Sequence, residues 1–311
     1  MIKKIKKILS KFILNRKLNN IQHLNMKILR ELDNQKTIIG KDLSGRLKDK
    51  GILNNIQDAE FKIFSQWGDD GIIQYLTNNI ENPTKTFIEF GVEDYVESNT
   101  RFLLINDNWT GFIMDGSEQH ISKIQNSDLY WKYDVTAKCA FIDKNNINEL
   151  LSSSGLGKNI GILSIDLDGV DYWIWKNINA VNPEIVIAEY NSTFGDERAI
   201  TVPYKQDFRR DKEHFSYLYF GASLPALCAL AEEKGYYFVG SNSNGVNAYF
   251  VRKDKIGKLK PMTAKEGYVL SKFRESRDEN EHLNYTPPQK RMNVIRGLKV
   301  INTKTHQEEL I

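Results

Sequence analysis

Apolar positions change their period several times along the chain, and each change marks an element. Ile2, Ile5, Leu9 and Phe12 recur every three or four residues, and Leu14, Leu18, Ile21, Leu24, Ile28 and Leu32 extend the stripe. That spacing predicts an amphipathic helix over residues 1–39. Residues 40–60 are polar and charged and read as a linker with at most one short helix. A second helix is predicted from the apolar-periodic Ile72, Ile73, Tyr75, Leu76 and Ile80, with Ser65 or an Asp as its N-cap and Pro83 as its stop. Short apolar runs then alternate with helical stretches. The strands expected are 86–92, 111–115, 129–135, 160–167 and 184–190, with a helix over 98–106 among the connections. Strands separated by helices form a parallel sheet of βαβ units. After a helix over 222–234, stopped by Gly235, the runs 236–239 and 247–251 flank an Asn/Gly/Ser-rich join and predict a hairpin.

This order gives an α/β fold with a doubly wound, mostly parallel seven-stranded sheet. It divides the chain into three regions. Residues 1–60 are a basic helical extension and linker, 61–253 the α/β domain, and 254–311 a charged tail with no assigned structure.

Charge alters this picture in one place. The chain has 311 residues, with 43 Lys+Arg against 40 Asp+Glu, a net of +3. Residues 1–30 hold nine basic side chains and no acidic one, which leaves the other 281 residues at −6. An acidic body does not suit duplex nucleic acid, whose phosphates require a basic face. The basic amphipathic helix over 1–39 has two readings. It is either a peripheral contact with the inner, anionic face of a membrane, or a helix packed on the body or on a second subunit. With 41% hydrophobic residues the chain supports a sizeable core. Two cysteines, Cys139 and Cys228, make no disulfide framework and fit a cytoplasmic protein. Neither a transmembrane helix nor a secretory signal is expected, because the lysines at 3, 4, 6, 7 and 11 interrupt any apolar core near the start.

Candidate chemistry sits at the strand ends, since ligands of open α/β sheets bind beyond the carboxyl ends of the strands. The residues there are Glu89, Gly91, Asp115, Asp134, Asp166, Asp168, Glu189 and Asn191. Buried acids in that number call for a cation or a set of hydroxyl donors. Asp115 follows Glu89 by 26 positions, a spacing suited to an acid that accepts from both hydroxyls of a ribose. The chain after Gly91 reads Val92-Glu93-Asp94-Tyr95, with no G-x-G-x-x-G. Carboxylates there repel a pyrophosphate and favour a cationic nucleoside without phosphate. Asp166 and Asp168 point to one side of an extended strand end, and with Glu189 and Asn191 on the next strand they form an oxygen ligand set for Mg²⁺ or a similar cation. His214, in the long segment 192–219, is a candidate general base.

Several of these segments together resemble a known family. They are Ser65-Gln66-Trp67-Gly68-Asp69-Asp70-Gly71, Phe87-Ile88-Glu89-Phe90-Gly91-Val92, Ser98-Asn99-Thr100-Arg101, Ser164 to Tyr172, Ala188-Glu189-Tyr190-Asn191, Gly221-Ala222-Ser223-Leu224 and Asn247 to Arg252. Residues 61–252 resemble a class I S-adenosylmethionine-dependent methyltransferase of the FkbM-like group, which is associated with polysaccharide and natural-product biosynthesis. The class loop E-x-G-x-G-x-G is altered here, with Glu93 and Tyr95 at the second and third glycine positions. The resemblance implies a Rossmann-like fold with S-adenosyl-L-methionine as cofactor. Glu89 and Gly91 would approach its amino-acid part, Asp115 its ribose, Asp134 its adenine, and Gln66 would reach over it. It further implies methyl transfer to a hydroxyl of a small molecule or glycan, with Asp166 and His214 as candidate catalytic groups. Two other readings remain open. One is a metal-dependent glycosyltransferase using Asp166-Leu167-Asp168 as a D-x-D pattern. The other is an adaptor that kept the fold and lost the cofactor. An oligomer is open as well.

Overall fold

The computed structural model describes residues 2–273 and 276–311, with the side chains of residues 2–10 and 13 outside the description. Ten strands are present among the described residues. They are β1 (Thr86–Phe90), β2 (Thr110–Asp115), β3 (Val135–Cys139), β4 (Asn159–Ile165), β5 (Asn182–Glu189), β6 (Ile200–Thr201), β7 (Tyr236–Ser241), β8 (Asn247–Arg252), β9 (Lys299–Asn302) and β10 (Glu308–Leu310).

Seven of them form one sheet in the order β3-β2-β1-β4-β5-β8-β7. The first five run parallel, and the β7–β8 hairpin closes the sheet antiparallel to β5. From β1 the chain builds outward to β2 and β3, then crosses back to β4 and β5. The order reverses between β1 and β4, where an open α/β sheet leaves a crevice at its carboxyl edge.

Helices cover both faces, so the central strands are apolar on both sides. In β1, Phe87 packs with Ile72, Ile73, Leu76, Leu103 and Leu104 on one face. Ile88 and Phe90 pack with Ile174, Trp175, Leu227 and Leu230 on the other. The sheet class and the closing hairpin are those expected from the sequence.

Three expectations are corrected. The third strand lies at 135–139, not 129–135. Residues Asp128–Lys132 form a short helix instead, in which Leu129 and Tyr130 are half-buried against the core and Trp131 is exposed. The true strand, Val135–Cys139, is an edge strand with alternating burial and little apolar signal.

The first helix runs unbroken from Ile2 to Lys50, so the stretch 40–50 is not linker. Its charged positions face water, while Gly40, Ser44 and Leu47 are buried. A Cβ at Gly40 would meet the Phe102 ring at 2.6 Å, so this glycine gives close helix packing rather than a helix end. Only then does a short 3-10 turn, Ile56–Ala59, follow.

The described residues of the stretch 254–311 are folded. β9 pairs with β6 and β10 in a small second sheet, and Leu259, Ile295 and Val300 are buried. These anchors are isolated in sequence and leave no periodic trace. Among the described residues no helix is long and apolar enough to cross a membrane.

Candidate functional site

The carboxyl ends of β1, β2, β4 and β5 border a cleft of about 900 Å³. It opens at the β1–β4 reversal. Gly91 follows β1 with φ +69°, and a Cβ there would lie 1.9 Å from the Asp166 carbonyl oxygen. Only glycine lets the two strand ends come that close.

The loop after Gly91 turns at two further residues that are not glycine. Glu93 (φ +47°) and Tyr95 (φ +61°) both adopt left-handed backbone. Such a conformation costs a non-glycine residue about 1–2 kcal/mol, and the surroundings hold it. The Glu93 N–H donates to Asp115 Oδ2 at 2.9 Å. Tyr95 is buried away from the cleft, with its hydroxyl 2.9 Å from Thr100 Oγ1. The tyrosine therefore does not fill the rim.

Glu89 is buried beneath this loop. Its carboxylate accepts from Ser98 Oγ (2.6 Å), Asn99 N (2.9 Å) and Thr100 N (3.1 Å). It thereby ties the loop to the start of the helix Arg101–Asp107, and burial raises its pKa against those donors. Asp115 ends β2 and accepts from Ser117 N at 2.7 Å, with His120 Nδ1 3.2 Å away. Gln66, Glu89, Gly91 and Asp115 all line the cleft. A side recess of about 130 Å³ adjoins Gly91 and Asp115 and is walled by Gly116, Phe141, Ile142, Leu167 and Phe208.

Asp166, Asp168 and Glu189 meet at the far side, with one oxygen of each within 4.8 Å of the others. β4 and β5 are neighbours, which brings Glu189 beside the pair. Asp168 has φ +51° and lies 3.3 Å from Arg210. Neither Asp166 nor Glu189 accepts a hydrogen bond from any described side chain or backbone group, and Glu189 Oε2 is buried without a partner among them. Asp166 stands deep in the cleft but faces its open space. Burial first, then repulsion from Asp168, Asp171 and Glu89, holds its pKa well above the usual carboxylate range. Burial and the charges of Asp166 and Asp168 do the same to Glu189. Asp171 accepts from the Leu167 and Gly169 N–H groups and shapes the turn, and burial pushes its pKa to about 6. An acidic trio with an orphaned buried oxygen suits a hard cation.

Three site expectations fail. Asp134 precedes β3 and accepts from Thr110 Oγ1 at the start of β2, which is the opposite rim of the sheet. The error comes directly from the misplaced third strand. Asn191 is fully engaged: its Nδ2 donates to the Leu218 and Phe220 carbonyls, and its Oδ1 accepts from Thr193 N. It caps a 3-10 turn, its amide is oriented by that turn and by the 218 and 220 carbonyls, and it does not line the cleft. His214 does not line the cleft. It bonds Ser216 Oγ at 2.7 Å and packs on Phe215, and burial lowers its pKa.

Other cleft residues escaped the sequence. Asn99 reaches Ser164 Oγ from the loop. Trp67 stacks on Phe273 at 5.3 Å, and Arg277, Leu283 and Tyr285 add a wall from the C-terminal stretch. No spacing signal marks that wall, since it comes from the region with no periodic pattern.

No family model matches the chain, and no curated protein matches it in sequence. Among solved structures it is similar to the N-terminal domain of EvdMO1 with SAH bound. That likeness has a TM-score of 0.39 and 13% identity, over 68% of this chain and 94% of that one. It is similar to the fibrillarin pre-rRNA processing protein of Methanococcus jannaschii (TM-score 0.38, 8% identity, 60% and 76% covered). It is also similar to an S-adenosylmethionine-dependent methyltransferase from Clostridium acetobutylicum (0.36, 12%, 59% and 90%). Likenesses this distant carry no argument about the reaction.

Proposed function

We propose that the chain is an S-adenosylmethionine-dependent O-methyltransferase acting on a hydroxyl, that of a sugar in surface-polysaccharide biosynthesis. We further propose that Asp166, Asp168 and Glu189 hold a divalent cation such as Mg²⁺. The observation that carries the reading is the charge of the cleft at the β1–β4 reversal. Glu89, Glu93, Glu97, Asp115, Asp166, Asp168 and Glu189 line it, against Arg210, Arg277 and His120. Such a surface favours a ligand bearing sulfonium and ammonium groups and disfavours bare phosphate.

Asp115 retains lone pairs for ribose hydroxyls beyond the donors it already serves. The recess beside Phe141, Leu167 and Phe208 offers the flat apolar slot that adenine needs. In the reaction the methyl carbon leaves sulfur as it bonds the acceptor oxygen, and the hydroxyl proton passes to Asp166 where no cation is held, or is lost from a cation-bound hydroxyl where Asp166 serves as a ligand. Burial and its acidic neighbours raise that group's basicity. A bound cation would lower the hydroxyl's pKa and orient it. The remaining work is positioning, because an in-line transfer depends on contact distance. The sugar acceptor rests on the sequence resemblance.

Calorimetry with S-adenosylmethionine is the test. Heat of binding is expected, and Asp115→Ala should weaken it roughly tenfold or more through loss of charge-assisted hydrogen bonds. No heat at all would sink the reading. A thermal-shift comparison with UDP- and GDP-sugars separates the glycosyltransferase alternative, which requires the nucleotide sugars and not S-adenosylmethionine to raise the melting temperature. Chelation with EDTA should lower turnover in the parent, and Glu189→Gln should remove the response to added Mg²⁺.

A further inference from the structure

The helix Ile2–Lys50 grips the body through its C-terminal part. Arg30 pairs with Asp128 at 3.0 Å, Asp33 with Arg101 at 2.8 Å, and Ser44 with Gln74 at 2.6 Å, while Gly40 and Leu47 are buried. Residues 30, 33, 37, 40, 44 and 47 recur every three or four positions, so this is one stripe. In heptad letters it occupies the b and f positions. The opposite stripe has no cover. Leu14, Leu18, Ile21, Leu24, Ile28, Leu29 and Leu32 are each between 47% and 61% exposed. Ile38 and Ile39 continue this side, and Phe12 and Met26 are the exposed large apolar residues of the helix that lie off it; nine such side chains on one side are far more than isolated surface apolar residues.

Their spacing is that of a coiled coil. Leu18, Asn25, Leu32 and Ile39 fall at a, and Leu14, Ile21, Ile28 and Gln35 fall at d, over nearly four heptads. The a/d seam points away from the b/f stripe that grips the body, so a partner helix can lie along it without meeting the α/β domain. Two polar features choose the partner. Asn25 stands at the second of the four a positions, where a parallel, in-register copy would place its own Asn25 to satisfy it. Glu31 at g and Lys36 at e are five residues apart, the offset at which g of one helix meets e of a parallel partner. A second copy therefore offers Lys36 to Glu31 twice by symmetry. Leu24 and Leu29 occupy the g and e positions one heptad earlier and widen the apolar contact in the same register.

We infer that residues 14–39 form a parallel, in-register two-stranded coiled coil with a second copy of this chain. A membrane surface is the competing occupant. It would bury Asn25 and Gln35 in the middle of the apolar stripe with no partner.

Sedimentation of the full chain reads the result directly. The parent should run at twice the chain mass. The double variant Ile21→Asp/Ile28→Asp should run as a monomer with the body's melting transition unchanged. Glu31→Lys alone and Lys36→Glu alone should each weaken the dimer roughly tenfold through like-charge g–e contacts. An equimolar mixture of the two should restore it as a heterodimer. In a Cys139→Ser background, Leu18→Cys and Leu32→Cys should each give a disulfide-linked dimer under mild oxidation, since both are self-paired only when the helices are parallel and in register. A monomeric parent overturns the inference. So does crosslinking at only one of the two positions, which marks an antiparallel pair. Flotation of a monomeric parent with vesicles of phosphatidylglycerol and phosphatidylcholine overturns it in favour of the membrane.

Discussion

Two groups of acids lie within the α/β body, and their surroundings set them to opposite tasks. Asp69 and Asp70 begin the helix Asp69–Asn79 and are supplied with donors. Asp70 Oδ2 accepts from the Ile63, Phe64 and Ser65 N–H groups and from Ser65 Oγ, all within 2.8 Å. Asp69 Oδ1 accepts from Asn242, Asn247 and Tyr249, which pins the helix to the β7–β8 hairpin. Asp166 and Glu189 accept nothing from the described residues, and beside Asp168 they repel one another. Burial raises the Asp70 carboxyl to about 6 even against its donors, while Asp166 and Glu189 are raised by burial and by one another with only the Arg210 charge opposing. The contrast is one of donors: Asp69 and Asp70 each have one oxygen held by several donors and one, Asp69 Oδ2 and Asp70 Oδ1, buried without a partner, whereas Asp166 and Glu189 have no described donor on either oxygen.

The sharpest way to break this contrast is to remove one acid from each group. Asp70→Ala strands three buried N–H groups and a hydroxyl, and should cost about 3–5 kcal/mol in denaturant unfolding. Asp166→Asn should melt no lower than the parent, because it removes a repelled charge. Its turnover with S-adenosylmethionine and an accepted hydroxyl should fall about 10²–10⁴-fold. If Asp166→Asn unfolds the chain and Asp70→Ala does not, the two groups have been assigned the wrong way round.

A smaller effect is carried by pH. Burial raises the Asp171 carboxyl to about 6 from its ordinary 3.8. The folded chain then binds more protons than the unfolded one between those values. The group's contribution to stability is whole below about pH 4 and is lost as pH rises toward 6, with a slope of at most about 1.4 kcal/mol per pH unit. The stability of the parent relative to Asp171→Asn, followed by urea unfolding from pH 4 to 8, should fall over that window and then level off. A difference that is flat across the window would show that Asp171 titrates at its ordinary value.

The sequence carried the sheet because buried parallel strands are apolar on both faces and stand out as continuous runs, as in 86–92 and 160–167. It also carried Glu89, Gly91, Asp115 and the 166–168–189 trio, since each lies at the end of such a run. It misplaced β3, where the aromatic run Leu129-Tyr130-Trp131 outweighs an edge strand with few apolar positions, and Asp134 went with it to the wrong rim. Asn191 and His214 were of the right residue types for a site. Only packing shows that one is consumed by capping a turn and the other is held within its own loop.

What the residues determined alone is which segments must be buried, and hence the layered α/β body, because hydrophobic period is a local property of the chain. What only the tertiary structure decided is which polar groups find partners. Hydrogen bonds between positions such as Asp69 and Tyr249, 180 residues apart, exist only after folding. Those long-range partners, and not the residue types, separate the acids that build the body from the acids left facing the cleft.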